Sequence, residues 1–97
     1  MKTDAIQLKE ADNVATSLRD LQPGQEALVG VAQETTKVAI HEFIPYAHKF
    51  AMRPIAKGED ILKHGEVIGR ATVDIGAGTH AHIQNIESLR GRGDWEK

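Results

Sequence analysis

Cysteine is absent from the chain. That excludes disulfides, thiolate-bound metals, iron–sulfur clusters and a thiol nucleophile. A basic excess is absent too. Twelve Lys+Arg against fourteen Asp+Glu leave a formal charge of −2, so no global positive field draws the protein to nucleic acid. Aromatic residues are few, with one Trp, one Tyr and two Phe. No apolar run approaches the roughly 20 residues of a membrane helix. The opening MKTDAIQLKEADN carries acidic residues where a signal peptide would carry its apolar stretch. A cytoplasmic protein with neither a membrane nor a nucleic-acid partner is expected.

What is present fits one small domain spanning residues 1–97, with residues 87–97 as an extended tail. A domain of this length buries only a modest core and encloses few deep pockets alone. Any catalytic site is therefore expected to be shared with another chain. Ala5–Leu8 alternates polar and apolar residues and predicts a first strand. Asp12 and Asn13 offer N-cap side chains, and Val14, Leu18 and Leu21 at i, i+4, i+7 form a stripe. Together they predict a short helix that Pro23-Gly24 stops.

Further strands are expected at Ala27–Val31, Lys37–Phe43, His48–Ile55, Val67–Val73 and Thr79–Ile86. Ile61–Gly65 reads as a single turn capped by glycine. No internal repeat is evident. Many short strands, Gly/Pro turns and one helix make a mainly β fold.

The segment His80-Ala81-His82-Ile83-Gln84-Asn85 is the most informative for chemistry. On a strand, His80, His82 and Gln84 share a face, because side chains alternate with period two. Two imidazoles about 6–7 Å apart along a strand can meet at one metal ion or one anion; the alternative is a solvated polar face. His48-Lys49 follows a proline turn, so His48 can reach a neighbouring strand and Lys49 can offer charge to a carboxylate. A surface pair is the other reading. His41 and His64 have no partner at a telling spacing. Gly76-Ala77-Gly78 lacks the Lys-Ser/Thr ending of a phosphate loop. Arg92-Gly93-Asp94 matches an adhesion tripeptide by letters only. Arg90 and Arg92 lack the interleaved aromatics of a nucleic-acid platform and suit an arm that pairs with acidic groups on a partner.

Taken in order, several stretches are similar to one family. They are Asp12-Asn13-Val14-Ala15, Leu18-Arg19-Asp20-Leu21, His48-Lys49-Phe50-Ala51, Ile55-Ala56-Lys57-Gly58, Ile61 to Thr72, His80-Ala81-His82 with Asn85, and Glu87 to Asp94. They resemble the small N-terminal SAF-type domain of altronate/galactarate dehydratases, which in part of the family is a separate small subunit. The resemblance implies a SAF-type β-clip fold and a hydro-lyase that removes water from a sugar acid to give a 2-keto-3-deoxy acid. It also implies a divalent metal, Fe2+ or Mn2+, and a large catalytic subunit in a hetero-oligomer.

It places His48, His80 and His82 as metal ligands or acid/base groups and Lys49 and Gln84 at the substrate. Arg90, Arg92 and Asp94 fall in a docking segment. The family pattern H-x-H-x-H-N has Gln84 at its third histidine, and an amide is a poorer ligand than imidazole. Either that position is dispensable or His48 or the partner subunit supplies a donor. Two alternatives stand beside this: the alpha subunit of (2R)-sulfolactate sulfo-lyase, which eliminates sulfite, and a non-catalytic SAF binding module. An ice-binding module would want a regular threonine array, and Thr3, Thr16, Thr35, Thr36, Thr72 and Thr79 form none.

Overall fold

A computed structural model describes residues 3–88. They form nine strands: β1 (Ala5–Gln7), β2 (Val14–Ser17), β3 (Glu26–Val31), β4 (Glu34–Ala39), β5 (Lys49–Ala51), β6 (Asp60–Lys63), β7 (Glu66–Ala71), β8 (His80–Ala81) and β9 (Ile86–Ser88). A six-stranded sheet runs β4-β3-β1-β2-β5-β8, and a three-stranded sheet runs β6-β7-β9. Only β1 and β3 pair in parallel.

The mainly β expectation holds, and the helix does not: no helix occurs among the described residues. Its first four residues, Val14–Ser17, form β2, which lies between the two apolar clusters. Ala15 packs into one with Phe50 and Leu21, while Val14 packs into the other with Ile61 and Ala81. A strand buried on both faces shows no alternation, so it mimics a buried helical segment in sequence. Leu18, the middle of the supposed stripe, is exposed. A helix that short has little stability of its own to oppose this packing.

The predicted capping residues do different work. Asp12 accepts from the backbone N–H groups of His64 (2.9 Å) and Gly65 (2.8 Å). Asn13, fully buried, accepts from Leu62 N–H at 2.8 Å and donates to the Asp60 carbonyl at 2.8 Å. The pair fastens the β6–β7 hairpin to the larger sheet. Ile61–Gly65 is accordingly strand plus hairpin turn, not a lone turn. Asn13→Ala strands a buried donor and a buried acceptor, and a loss of about 2–3 kcal/mol is expected. Denaturant unfolding measures it; a loss below about 0.5 kcal/mol would refute the stapling role.

A repeated turn also emerges that the sequence pattern hides. Four buried aliphatics, Leu21, Ile44, Ile55 and Ile75, pair as the bridges Leu21–Ile44 and Ile55–Ile75. Three residues after each lies a residue at positive φ: Gly24 (89°), Ala47 (70°), Gly58 (88°) and Gly78 (78°). The residue after that returns its N–H to a carbonyl three positions back, at 2.9–3.2 Å (Gln25, His48, Glu59, Thr79). The left-handed third position is what a type II turn requires. One of these turns ends on His48, and another delivers the chain directly to His80.

Candidate metal and acid-binding site

His48 is set by its turn and by β2. Its N–H reaches the Ser17 hydroxyl oxygen at 3.2 Å, and its carbonyl accepts from Ser17 N–H at 2.9 Å. Buried Ser17 in turn donates its hydroxyl to the Pro45 carbonyl at 2.6 Å. His80 lies opposite Phe50, two residues on from His48, in the β5–β8 pairing. Its N–H donates to a Glu42 carboxylate oxygen at 2.9 Å.

The predicted strand Thr79–Ile86 is much shorter than expected. It ends at Ala81, and the chain turns through 82–85 before β9. Buried Asn85 shapes that turn: its side-chain oxygen accepts from His82 N–H at 2.9 Å, and its amide donates to the His80 carbonyl at 2.8 Å. Asn85, Ser17 and Glu42 hold the histidine backbones, a role that sequence reasoning does not assign to any of them. The one available signal is Asn85, a short amide that can bond nearby backbone groups in place of a strand ladder.

These elements bring His48, His80 and His82 together. Their ligand nitrogens all lie within 4.8 Å of one another. Ring centroids are 5.0 Å apart for His48–His80, 4.2 Å for His48–His82 and 5.4 Å for His80–His82, with interplanar angles of 19–30°. His48 Nδ1 and His80 Nε2 approach to 2.8 Å. His82 Nδ1 is buried and has no hydrogen-bond partner among the described residues.

Burial pushes the pKa of His80 down, with the neighbouring His48 adding to this and Glu42 opposing it. Burial also lowers that of His82, followed by the charge of Lys49 and then the other two rings. Both shifts favour the neutral imidazole, the form with a lone pair to offer as a ligand.

Gln84 does not join the cluster as a third strand-face donor, because the strand has ended before it. Its amide nitrogen lies 3.1 Å from His80 Nδ1, on the side away from His48. The third imidazole near His80 and His82 is His48. Lys49 is half-buried and lines a cleft with His82. His41 is exposed and outside the cluster, as is His64. Arg90, Arg92 and Asp94, expected to dock a partner, lie outside the described residues.

Comparisons with known proteins bear on the family of the chain. The family model for the altronate/galactarate dehydratase SAF domain matches residues 3–89. The altronate dehydratase of Escherichia coli strain K12 is 40% identical over 83 residues, which is 86% of this chain. The altronate dehydratase of Bacillus subtilis strain 168 is 34% identical over 84 residues. The chain spans only 16% of the length of either dehydratase. The (2R)-sulfolactate sulfo-lyase subunit alpha of Chromohalobacter salexigens is 34% identical over 56 residues, which is 58% of this chain and 60% of that subunit.

Proposed function

The chain belongs to the altronate/galactarate dehydratase SAF domain family, and from that membership we propose that it is the small subunit of a sugar-acid dehydratase. In this reading the subunit works in the cytoplasm and is inactive without a large catalytic subunit. The pair removes water from an aldonic or aldaric acid and releases a 2-keto-3-deoxy acid. The convergence of His48, His80 and His82 within 4.8 Å carries the reading.

The donor set fits a divalent metal. Two ring nitrogens at 2.8 Å repel unless one holds a proton or both face a cation, and about 2.0–2.1 Å is a usual metal–imidazole bond length. The partnerless, buried His82 Nδ1 marks a polar atom for which an ion would account. An all-imidazole set suits Fe2+ better than Mn2+. When bound, such an ion acts as a Lewis acid toward the substrate's carboxylate and the charge that develops beside it.

The chain's own residues would hold and aim that site. Ser17, Glu42 and Asn85 fix the three histidine backbones. Gln84 lies against His80 Nδ1; when Nε2 ligates, Nδ1 carries the proton, and the Gln84 amide would present its oxygen to accept it and so orient the ring. Loss of the α-proton and of the β-hydroxyl as water leaves an enol that becomes the keto acid, so atoms balance with no other reactant. The base for the α-proton is assigned to the large subunit.

The similarity to a sulfo-lyase alpha subunit favours a second reading, elimination of sulfite from sulfolactate. One experiment separates the two. The chain is mixed with its large subunit and Fe2+ and supplied with altronate, galactarate or (2R)-sulfolactate. A 2-keto-3-deoxy acid is the expected product; release of sulfite would establish the second reading instead. A large subunit fully active without this chain would overturn both.

A further inference from the structure

Beside the histidine cluster lies a cleft of about 400 Å³ at the seam of the two sheets. Lys49 of β5 enters it from the larger sheet, and Lys63 of β6 and His64 enter from the smaller one. His82 lines it as well, so the cleft and the histidine cluster share a wall. Ile68, Ile83 and Ile86 give it apolar sides.

Both lysines are half-buried, and neither forms a salt bridge among the described residues. The cleft also includes exposed Glu66, one carboxylate against two ammonium groups. Two like charges brought to one partly desolvated cleft oppose each other and lose hydration. In a protein of net charge −2 with carboxylates to spare, leaving them unpaired is a cost that an incoming anion offsets.

We propose that Lys49, Lys63 and His64 receive one carboxylate or sulfonate group of the substrate acid, and that this acid carries two anionic groups. The proposal deepens the function above and rests on it: the histidine cluster takes the reacting end, and the cleft takes the other. A monoanionic acid would leave one of the two sites empty. Lys63 and His64 act here as specificity residues, with the β6–β7 hairpin supplying them.

The test uses the metal-free full-length chain, with its amide NMR signals followed during titration by (2R)-sulfolactate and by lactate, which lacks the sulfonate. Sulfolactate is expected to give saturable shifts at Lys49, Lys63 and His64, with half-saturation about tenfold lower than for lactate. Lys63→Gln should weaken sulfolactate about tenfold, the loss of one charge-assisted contact. Lys37→Gln removes the same charge from β4, far along the sheet, and should change binding less than twofold. Equal binding of the two acids, or shifts indifferent to Lys63→Gln, would overturn the proposal. Such a result alongside intact Mn2+ binding by the histidines would leave the dehydratase reading standing. Saturable binding in the cleft without Mn2+ binding or complementation would instead refute the dehydratase reading.

Discussion

Replacing His82 by alanine is expected to lower affinity for Mn2+, used as a probe ion, by about 100-fold or more, with a parallel fall in the activity of the assembled enzyme. His48→Ala and His80→Ala should act alike, because with three protein donors each supplies a third of the set. The effects should not add: once one imidazole is gone, the remaining two cannot hold the ion in place. Asn85→Ala keeps every donor and disturbs only the turn that carries two of them, so about tenfold is expected there. His41, exposed and outside the cluster, is the control, and His41→Ala should bind Mn2+ as the parent does. Calorimetry gives the affinities, and the electron-spin signal of free Mn2+ gives the bound fraction independently. If all three alanine variants bind Mn2+ normally and support full activity, the ligand assignment fails.

The largest effect on stability is expected from Gly78→Ala, about 4 kcal/mol or more, a large part of the 5–15 kcal/mol typical of a whole domain. Two causes combine. Gly78 has φ 78°, where a Cβ costs about 1–2 kcal/mol. That Cβ would also overlap the Ala39 carbonyl oxygen, which is backbone and cannot swing aside. The turn is held on both sides, since Gly78 N–H donates to the Ala51 carbonyl at 2.8 Å and its own carbonyl accepts from His41 N–H at 3.0 Å.

Gly58 separates the two causes. It has φ 88° in the equivalent turn, but a Cβ there meets nothing within 4 Å. Gly58→Ala should therefore cost only the conformational share, about 1–2 kcal/mol. Thermal unfolding of the two variants gives the comparison. Equal destabilisation would mean that the close approach at Ala39 does not matter. Because Gly78 lies two residues before His80, its variant should also weaken Mn2+ binding, whereas Gly58→Ala should not.

Much of the site is legible in the residues themselves. The strand character around Lys49 and His80 follows from short runs between turn residues. His80 and His82 stand out by their close spacing, whereas His48, 32 residues away from His80, joins them in the sequence only through the family resemblance. The route by which His80 and His82 meet is not legible in the same way. A continuous strand would put Gln84 with them, whereas the chain leaves the strand after Ala81 because Asn85 bonds back to His80 and His82. The four turns are legible as breaks, at Pro23-Gly24, Pro45, Gly58 and Gly76–Gly78, but their shared geometry is not. Their common feature is the sign of φ at the third residue of the turn, and Ala47 adopts it without being glycine.

By itself, then, the order of residues determined the family, the predominance of strands, the lack of thiol chemistry and the pairing of His80 with His82. Those properties are local: composition, short apolar runs and side-chain type are carried by neighbours in the chain. Only the tertiary structure decided that Val14–Ser17 is a strand, that Asp12 and Asn13 fasten one sheet to another, and that Lys63 and His64 face Lys49 across a cleft. Each of those depends on partners at distant positions, 47 and 49 residues away for the two bonds of Asn13. Burial on both faces and long-range hydrogen bonds outweigh the few tenths of a kcal/mol per residue by which local propensity separates helix from strand.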